Sequence, residues 1–234
     1  MKFTIRRIEV TASTNDDAKR AAETGAPEGL VVWALTQTAG RGRQGRAWQS
    51  PEGNLYFSVL LRPPLPKRAW GNYSFVAALA ISEVVRGFLP DAIVELKWPN
   101  DVLAQGKKIS GILLESGGDF LIAGIGLNVQ NIPENPLYPA TSLAAEKSNL
   151  PPLEDVLNAI LESFNVWYVR MNEKGFAPIR AAWLAEARKG NLRVRLPDKT
   201  ELVGEFVDLD SEGNLHLRLQ DGTERNINAG DVFF

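Results

Sequence analysis

The sequence predicts an α+β protein: a largely antiparallel sheet carrying helices, followed by a small β-barrel. Three observations predict it. Between Ile93 and Val129 apolar runs are separated only by short turns at Gln105-Gly106 and Gly117-Gly118, and connections this short join antiparallel rather than parallel neighbours. From Leu153 to Met171 the apolar residues recur at helical spacing. Beyond Gly190 the runs NLRVRL, ELVGEFVDLD, LHLRLQ, ERNIN and AGDVFF alternate between turn signals, the rhythm of an SH3-like barrel.

In chain order, Phe3 to Val10 is a first strand. Ser13-Thr14-Asn15-Asp16-Asp17 then opens a helix that runs to about Glu23 and stops at Gly25. Its hydroxyls are suited to capping and its carboxylates to the first turn, although a helix amino terminus also offers donors to a polar ligand. Leu30 to Leu35 and Leu55 to Leu61 read as buried strands rich in branched and aromatic residues. Tyr73 to Phe88 is an Ala-rich helix burying Phe75, Leu79, Val84 and Val85. Pro133 to Pro152 is loop. After the long helix from Leu153, whose aromatics are core, a second helix spans about Pro178 to Lys189, and a domain boundary falls near Ala187 to Gly190, dividing the chain into residues 1–187 and 188–234.

Composition removes several chemistries. With no cysteine, disulfides, thiolate nucleophiles and thiolate metal sites are excluded. The single His216 lies in the alternating run GNLHLRL and reads as a strand residue. A formal net charge of -2, from 26 basic and 28 acidic residues, argues against bulk attraction to nucleic acid. No stretch approaches the roughly 20 apolar residues of a membrane span, nor a signal peptide. A cytoplasmic protein is the expectation.

The chemistry concentrates in Thr36 to Ser50, TQTAGRGRQGRAWQS, joining the two buried strands. Gly40, Gly42 and Gly45 alternate with Arg41, Arg43 and Arg46, and no carboxylate interrupts them in sequence. Glycines permit close backbone approach and positive φ, and guanidiniums are planar, permanently charged forks for phosphate or carboxylate. Anchored between core strands, the loop reads as an anion cradle. Lys97, Lys107 and Lys108 lie on or beside the next strands. Solvated strand edges suit Lys107 and Lys97, whereas Lys108 precedes the apolar run ISGILL and projects from a core strand. In Gly124-Ile125-Gly126 the strand glycines suggest close approach by a ligand.

Taken in series, Ser13-Thr14-Asn15, Gln37 with GRGRQGRAW, KWPNDVL at 97–103, KKISGILLE at 107–115 and GIGLNV at 124–129, with a terminal barrel, resemble a biotin-protein ligase. The resemblance implies a catalytic domain like that of class II aminoacyl-tRNA synthetases, with a mixed, largely antiparallel sheet, and an SH3-like domain. It implies activation of biotin by ATP, with Mg²⁺, to biotinyl-5'-AMP, then transfer to a lysine of a biotin carboxyl carrier protein domain. Only twelve residues precede Ser13, so the short form without an amino-terminal helix-turn-helix, and without DNA binding, is implied.

By motif position, Arg41, Arg43 and Lys108 face carboxylate and phosphate oxygens, with Arg46 supporting. Ser13, Thr14, Gln37, Gly40 and Gly111 belong to the biotin end, which Arg41 and Lys108 also reach. Trp48, Asn100 and Asn128 join Arg43 and Arg46 around the adenylate, and Asp101 is a candidate to position or deprotonate the acceptor lysine. The resemblance also implies that the loop orders over biotin. No residues are assigned to Mg²⁺, and association of two chains through the sheet is left open. The alternatives are a lipoate-type adenylating ligase, a catalytically silent biotin sensor and an Arg-Gly nucleic-acid module. The GRGRQGR and KWPND pair favours biotin over lipoate.

Overall fold

A computed structural model describes residues 1–136, 138–147 and 149–234. Seven strands, β1 (Thr4–Thr11), β2 (Leu30–Gln37), β3 (Leu55–Leu61), β4 (Val94–Lys97), β5 (Asp101–Ala104), β6 (Lys107–Gly117) and β7 (Phe120–Leu127), form one sheet in the order β1-β2-β3-β7-β6-β5-β4. Only the β1–β2 pair is parallel, its crossover being helix α1 (Thr14–Glu23). The sheet is therefore mixed and largely antiparallel.

Strand alternation sorts its two faces. Leu55, Phe57, Val59 and Leu61 of β3, with Leu121, Ala123, Ile125 and Leu127 of β7, point into the main core. That core is closed by α2 (Tyr73–Phe88), α4 (Leu153–Lys174) and α5 (Phe176–Glu186), and also takes in barrel residues such as Phe206 and Leu215. The aromatics of α4 are core: Phe164, Trp167 and Tyr168 are buried, each stabilising the fold by roughly 1.5–3 kcal/mol as an upper bound. The opposite face meets α1 through Ala18, Ala21 and Ala22 against Val32, Leu60 and Ile122. Alternation puts Ser58, Gly124 and Gly126 on this second face, where small side chains leave room above the sheet.

Several boundaries differ from expectation. Helix α5 begins at Phe176 and ends at Glu186, because Ala187 instead bridges Leu96 and Arg188 N–H donates to Leu96 C=O. Val84 is only partly buried. The β6–β7 turn falls at Gly118-Asp119, one residue late. Within the expected loop 133–152, Leu143–Glu146 forms a short helix, α3, capped by Ser142 Oγ; Leu137 and Ser148 lie outside the described residues. Strands β8 (Asn191–Arg195), β9 (Glu201–Leu209), β10 (Leu215–Leu219), β11 (Glu224–Ile227) and β12 (Asp231–Phe233) make an antiparallel five-stranded sheet in the order β11-β10-β9-β8-β12. His216 is a β10 residue beside Glu224, as an ordinary strand position would be.

The barrel is tied to the first sheet where KWPND turns. The Trp98–Pro99 bond is cis, and Trp98 Nε1 donates to Gly213 C=O. No described helix is long and apolar enough to cross a membrane.

Candidate active site

One cavity of about 390 Å³ lies over the second face of the sheet, roofed by residues 41–49. Its floor follows from register: Tyr56, Gly126, Gly111 and Asp101 are paired in one row across four strands. The strand glycines do make room, but for protein side chains. A Cβ on Gly126 would lie 2.5 Å from the Trp48 indole, and one on Gly124 only 2.1 Å from Asn15 Oδ1.

At one end the donors are neutral. Ser13 is the N-cap of α1, yet its hydroxyl makes no capping bond; it is buried and lines the cavity. Nor do Thr14 and Asn15 cap. Ser58 Oγ bonds to Thr14 Oγ1 (2.7 Å) and Asn15 Oδ1 (2.6 Å). Gln37 Oε1 accepts from Thr14 N–H at 2.9 Å, and its Nε2 donates to Ser50 Oγ at 2.9 Å. A buried polar array this well connected holds a fixed pattern of hydrogen-bonding groups. Gly40 sits just below, not lining the cavity: its C=O accepts from Trp48 N–H, and a Cβ there would lie 2.6 Å from both Ser50 Oγ and Trp48 O.

The roof is held by charge. Of its glycines only Gly45 takes positive φ, at 70°, next to Gln44 at 56°; Gly40 and Gly42 do not, so close packing is what Gly40 provides. Arg41 donates to both Asp16 oxygens (2.8 and 2.6 Å) and to Glu115 (3.0 Å), and Asn15 Nδ2 also reaches Glu115. The hydrogen bond to Arg41 lowers the Asp16 pKa, and the same bond raises that of Arg41. Carboxylates absent from the loop's sequence are thus supplied in space. Arg41 lines the cavity, but most of its donors are already taken.

The other end gathers cations. Lys108 Nζ lies 2.5 Å from Asp101 and 5.3 Å from the Trp48 ring centroid. Lys97 is buried, not a solvated edge; its ammonium is 3.4 Å from Asp101 and 4.2 Å above the Tyr138 ring. Burial lowers the Lys97 pKa. Burial also pushes the Asp101 carboxyl upward, but Lys108 and Lys97 more than offset this and hold it below its ordinary value. Lys107, by contrast, is exposed.

Arg46 pairs with Asp231 of β12 at 2.5 Å and donates to Tyr138. Burial opposes its charge, and the Asp231 bond outweighs that, so its pKa is raised. Arg43 differs. It donates only at 3.4 Å to Asn100 Oδ1 and 3.3 Å to Gly230 C=O, has no ion pair among the described residues, and has its pKa lowered by burial. Asn100 Nδ2 is spent on Ile112 C=O and Asn128 Nδ2 on Thr141 C=O, so both are fixed walls. Trp48 Nε1 is buried without a hydrogen-bond partner among the described residues.

Of the residues singled out in the sequence, Ser13, Thr14, Gln37, Arg41, Arg43, Arg46, Trp48, Asn100, Asp101, Lys108, Gly111 and Asn128 line one cavity, and Gly40 packs beneath its roof. Sequence reasoning missed Asp16, Glu115, Tyr138 and Asp231, whose partners are 25 to 185 residues away. Lys97 carried a signal: in KWPND it is four residues from Asp101, across a hairpin.

A family model described as the biotin/lipoate A/B protein ligase family matches residues 7–129, and one described as the biotin protein ligase C terminal domain matches residues 190–234. The chain belongs to the biotin/lipoate A/B protein ligase family. It is 38% identical to a biotin--[acetyl-CoA-carboxylase] ligase of Paracoccus denitrificans, over 96% of this chain and 98% of that one. A Mycobacterium tuberculosis relative of the same description is 37% identical over 97% and 88% of the two chains. Among solved structures, biotin protein ligase from Aquifex aeolicus in complex with biotin and ATP is similar at TM-score 0.86 and 30% identity, covering 98% of this chain and 97% of that one. The family's mixed sheet with helices and its SH3-like terminal unit are the fold seen here.

Proposed function

We infer that this protein is a biotin-protein ligase that activates biotin with ATP to biotinyl-5'-AMP and transfers the biotinyl group to a lysine. One observation carries the reading: a single cavity has a neutral hydrogen-bonding end at Ser13, Thr14 and Gln37 and a cationic end at which Arg43 has no carboxylate partner among the described residues. A polar, uncharged ureido ring suits the first end. The carboxylate of the same molecule and the α-phosphate of ATP suit the second, with Trp48 and Asn128 beside the nucleoside.

A carboxylate is a poor acyl electrophile, so its oxygen must first attack the α-phosphorus, displacing pyrophosphate. Charge grows on phosphate oxygens during that step, and fixed donors in a water-poor site stabilise it; losing one typically costs about 10²–10³ in rate. Arg43 and Lys108 have that role. Arg41 steadies the roof from its pairs with Asp16 and Glu115, keeping water from the anhydride. Asp101, held ionised between two lysines, is a poor proton acceptor and acts by positioning Lys108. The acceptor lysine reaches the acyl carbon at the Lys108 side and expels AMP.

Mg²⁺ would screen the ATP phosphates. Among the described residues no cluster of three or more His, Asp or Glu suited to a metal occurs, and of the carboxylates that line the pocket Asp101 and Asp231 are ion-paired while Glu134 is exposed. The ion therefore belongs with ATP, and no step here is assigned to it.

The acceptor is a biotin carboxyl carrier protein domain, in keeping with the acetyl-CoA-carboxylase named for the relatives. The division at residues 187/188, the absence of DNA binding and a cytoplasmic setting belong to the same reading. Incubation with biotin, ATP, Mg²⁺ and a carrier domain should add one biotinyl mass to the carrier, and lipoate should add none. An unmodified carrier, with no biotin-dependent exchange of pyrophosphate into ATP, would remove the proposal.

A further inference from the structure

The neutral end of the cavity is wired to a carboxylate that does not line it. Glu115 is paired with Ile122 across β6 and β7, on the sheet face that carries α1, and lies outside the cavity wall. From it an unbroken series of hydrogen bonds runs through buried side chains. Asn15 Nδ2 donates to Glu115 Oε2 at 2.6 Å, Asn15 Oδ1 is 2.6 Å from Ser58 Oγ, and Ser58 Oγ is 2.7 Å from Thr14 Oγ1, which faces the cavity. The direction of each proton follows from the carboxylate. Glu115 is ion-paired with Arg41 and can only accept, so the Asn15 amide turns its NH2 to Glu115 and its oxygen to Ser58. That oxygen cannot donate; the Ser58 hydroxyl therefore gives it a proton and in turn accepts the proton of Thr14. The other acceptor beside the Thr14 hydroxyl among the described residues is Gln37 Oε1, at 3.2 Å, which already takes the Thr14 N–H. Gln37 cannot turn round, because Ser50 Oγ spends its own proton on Trp48 C=O and must accept from Gln37 Nε2. On either path the Thr14 proton stays inside the protein, and Thr14 Oγ1 shows the cavity only lone pairs.

Resting on the biotin reading above, we propose that Glu115 is a specificity-determining positioning residue: through Asn15 and Ser58 it commits Thr14 Oγ1 to accept, so that this end selects a ring N–H over a ring oxygen at the same point of the ligand. The ureido ring of biotin supplies such an N–H. A ligand that brings a lone pair there leaves two buried acceptors facing each other without a proton, and sites built around one hydrogen bond reject the analogue that cannot make it. The charge at position 115 is what sets the direction. Both Glu115 oxygens accept, Oε1 from Arg41 and Oε2 from Arg41 and Asn15. A carboxamide there would keep its one oxygen for Arg41 and turn its NH2 to Asn15. The Asn15 amide would then reverse, the Ser58 proton would point to Thr14, and the Thr14 hydroxyl would be free to donate into the cavity.

The test compares the binding of biotin, by titration calorimetry, with that of its two cyclic carbamate analogues, in each of which one ureido N–H is replaced by oxygen. The wild type should bind one of the two about 10–100-fold more weakly than biotin. In Glu115→Gln and in Ser58→Ala, which cuts the series at a buried hydroxyl and leaves the carboxylate in place, that ratio should fall below about threefold. Asp16→Asn loosens Arg41 without touching the series, so it should weaken biotin and the analogue alike and keep the wild-type ratio. Circular dichroism controls for folding. An unchanged ratio in Glu115→Gln and Ser58→Ala would overturn the proposal while leaving the ligase reading intact. So would an equal fall of the ratio in Asp16→Asn, which would assign the effect to the roof, and so would a wild type that binds biotin and both analogues equally. A wild type that binds none of the three would instead refute the reading on which the proposal rests.

Discussion

Lys108 Nζ stands 2.5 Å from Asp101 Oδ1, and the same carboxylate faces Lys97 at 3.4 Å. Asp101 is thus a buried anion between two cations, and removing its charge strands Lys97 in the core. Breaking such a buried set typically costs about 3–5 kcal/mol. Asp101→Asn should lose stability on that order and, by freeing Lys108, adenylation as well. The pH dependence follows from the depressed pKa of Asp101. Its stabilising contribution is complete above the ordinary value of 3.8 and fades only as pH falls through the lower folded-state value. Urea unfolding between pH 3 and 7 should show a constant gap between wild type and Asp101→Asn at neutral pH that narrows below about pH 4. A gap that widens toward acid would contradict the assignment.

Arg43 and Arg46 are three residues apart yet electrostatically unlike. Arg46 is already matched by Asp231, so a substrate anion gains less from it, whereas Arg43 has no carboxylate partner among the described residues. Arg43→Gln should reduce biotin-dependent pyrophosphate exchange by about 10²–10³, and Arg46→Gln by no more than about tenfold. Equal losses in the two variants would mean that pairing with Asp231 does not discount Arg46.

These two arginines also show where the sequence is legible. Alternation and turn spacing reveal strands, and with them the cradle's anchoring, because those signals are local. Helix α1 follows from its start residues and the glycine that stops it, α2 from its Ala-rich apolar run and α4 from apolar periodicity, all of them local signals too. What neutralises each cation is not local: Asp16, Glu115 and Asp231 approach the cradle only after the sheet and barrel close. In sequence Lys97 suits a solvated edge, because a four-residue strand gives too little pattern to show that β4 is covered by α2 and Tyr138. Gly40 belongs to the motif by its neighbours, but its service is to let Trp48 and Ser50 pack.

The roof should be loosened by removing one partner of Arg41. Its pairs with Asp16 and Glu115 are about one-third exposed, and pairs of that kind contribute about 0.2–1 kcal/mol each. Asp16→Asn should therefore speed biotin dissociation by up to about fivefold and quicken tryptic cleavage after Arg41, Arg43 or Arg46, with kcat little altered. Raising salt should narrow the difference, since such pairs are screened. Stopped-flow release of biotin provides the measurement, and identical release rates at low salt would show that the clasp does not govern the roof.

The two strand glycines under the cavity should separate the substrates. A methyl on Gly124 meets Asn15 Oδ1 at 2.1 Å, displacing the residue that joins Ser58 to Glu115 at the neutral end. A methyl on Gly126 meets the Trp48 indole at 2.5 Å, two residues along the same face. Since the strand alternates and both point to the cavity side, neither change disturbs the main core. Gly124→Ala should raise the KM for biotin about tenfold or more with that for ATP nearly unchanged, and Gly126→Ala should do the reverse. Steady-state kinetics with each substrate varied in turn would decide it. If both variants shift both constants together, the cavity floor acts as one unit, and the division between a biotin end and a nucleotide end fails.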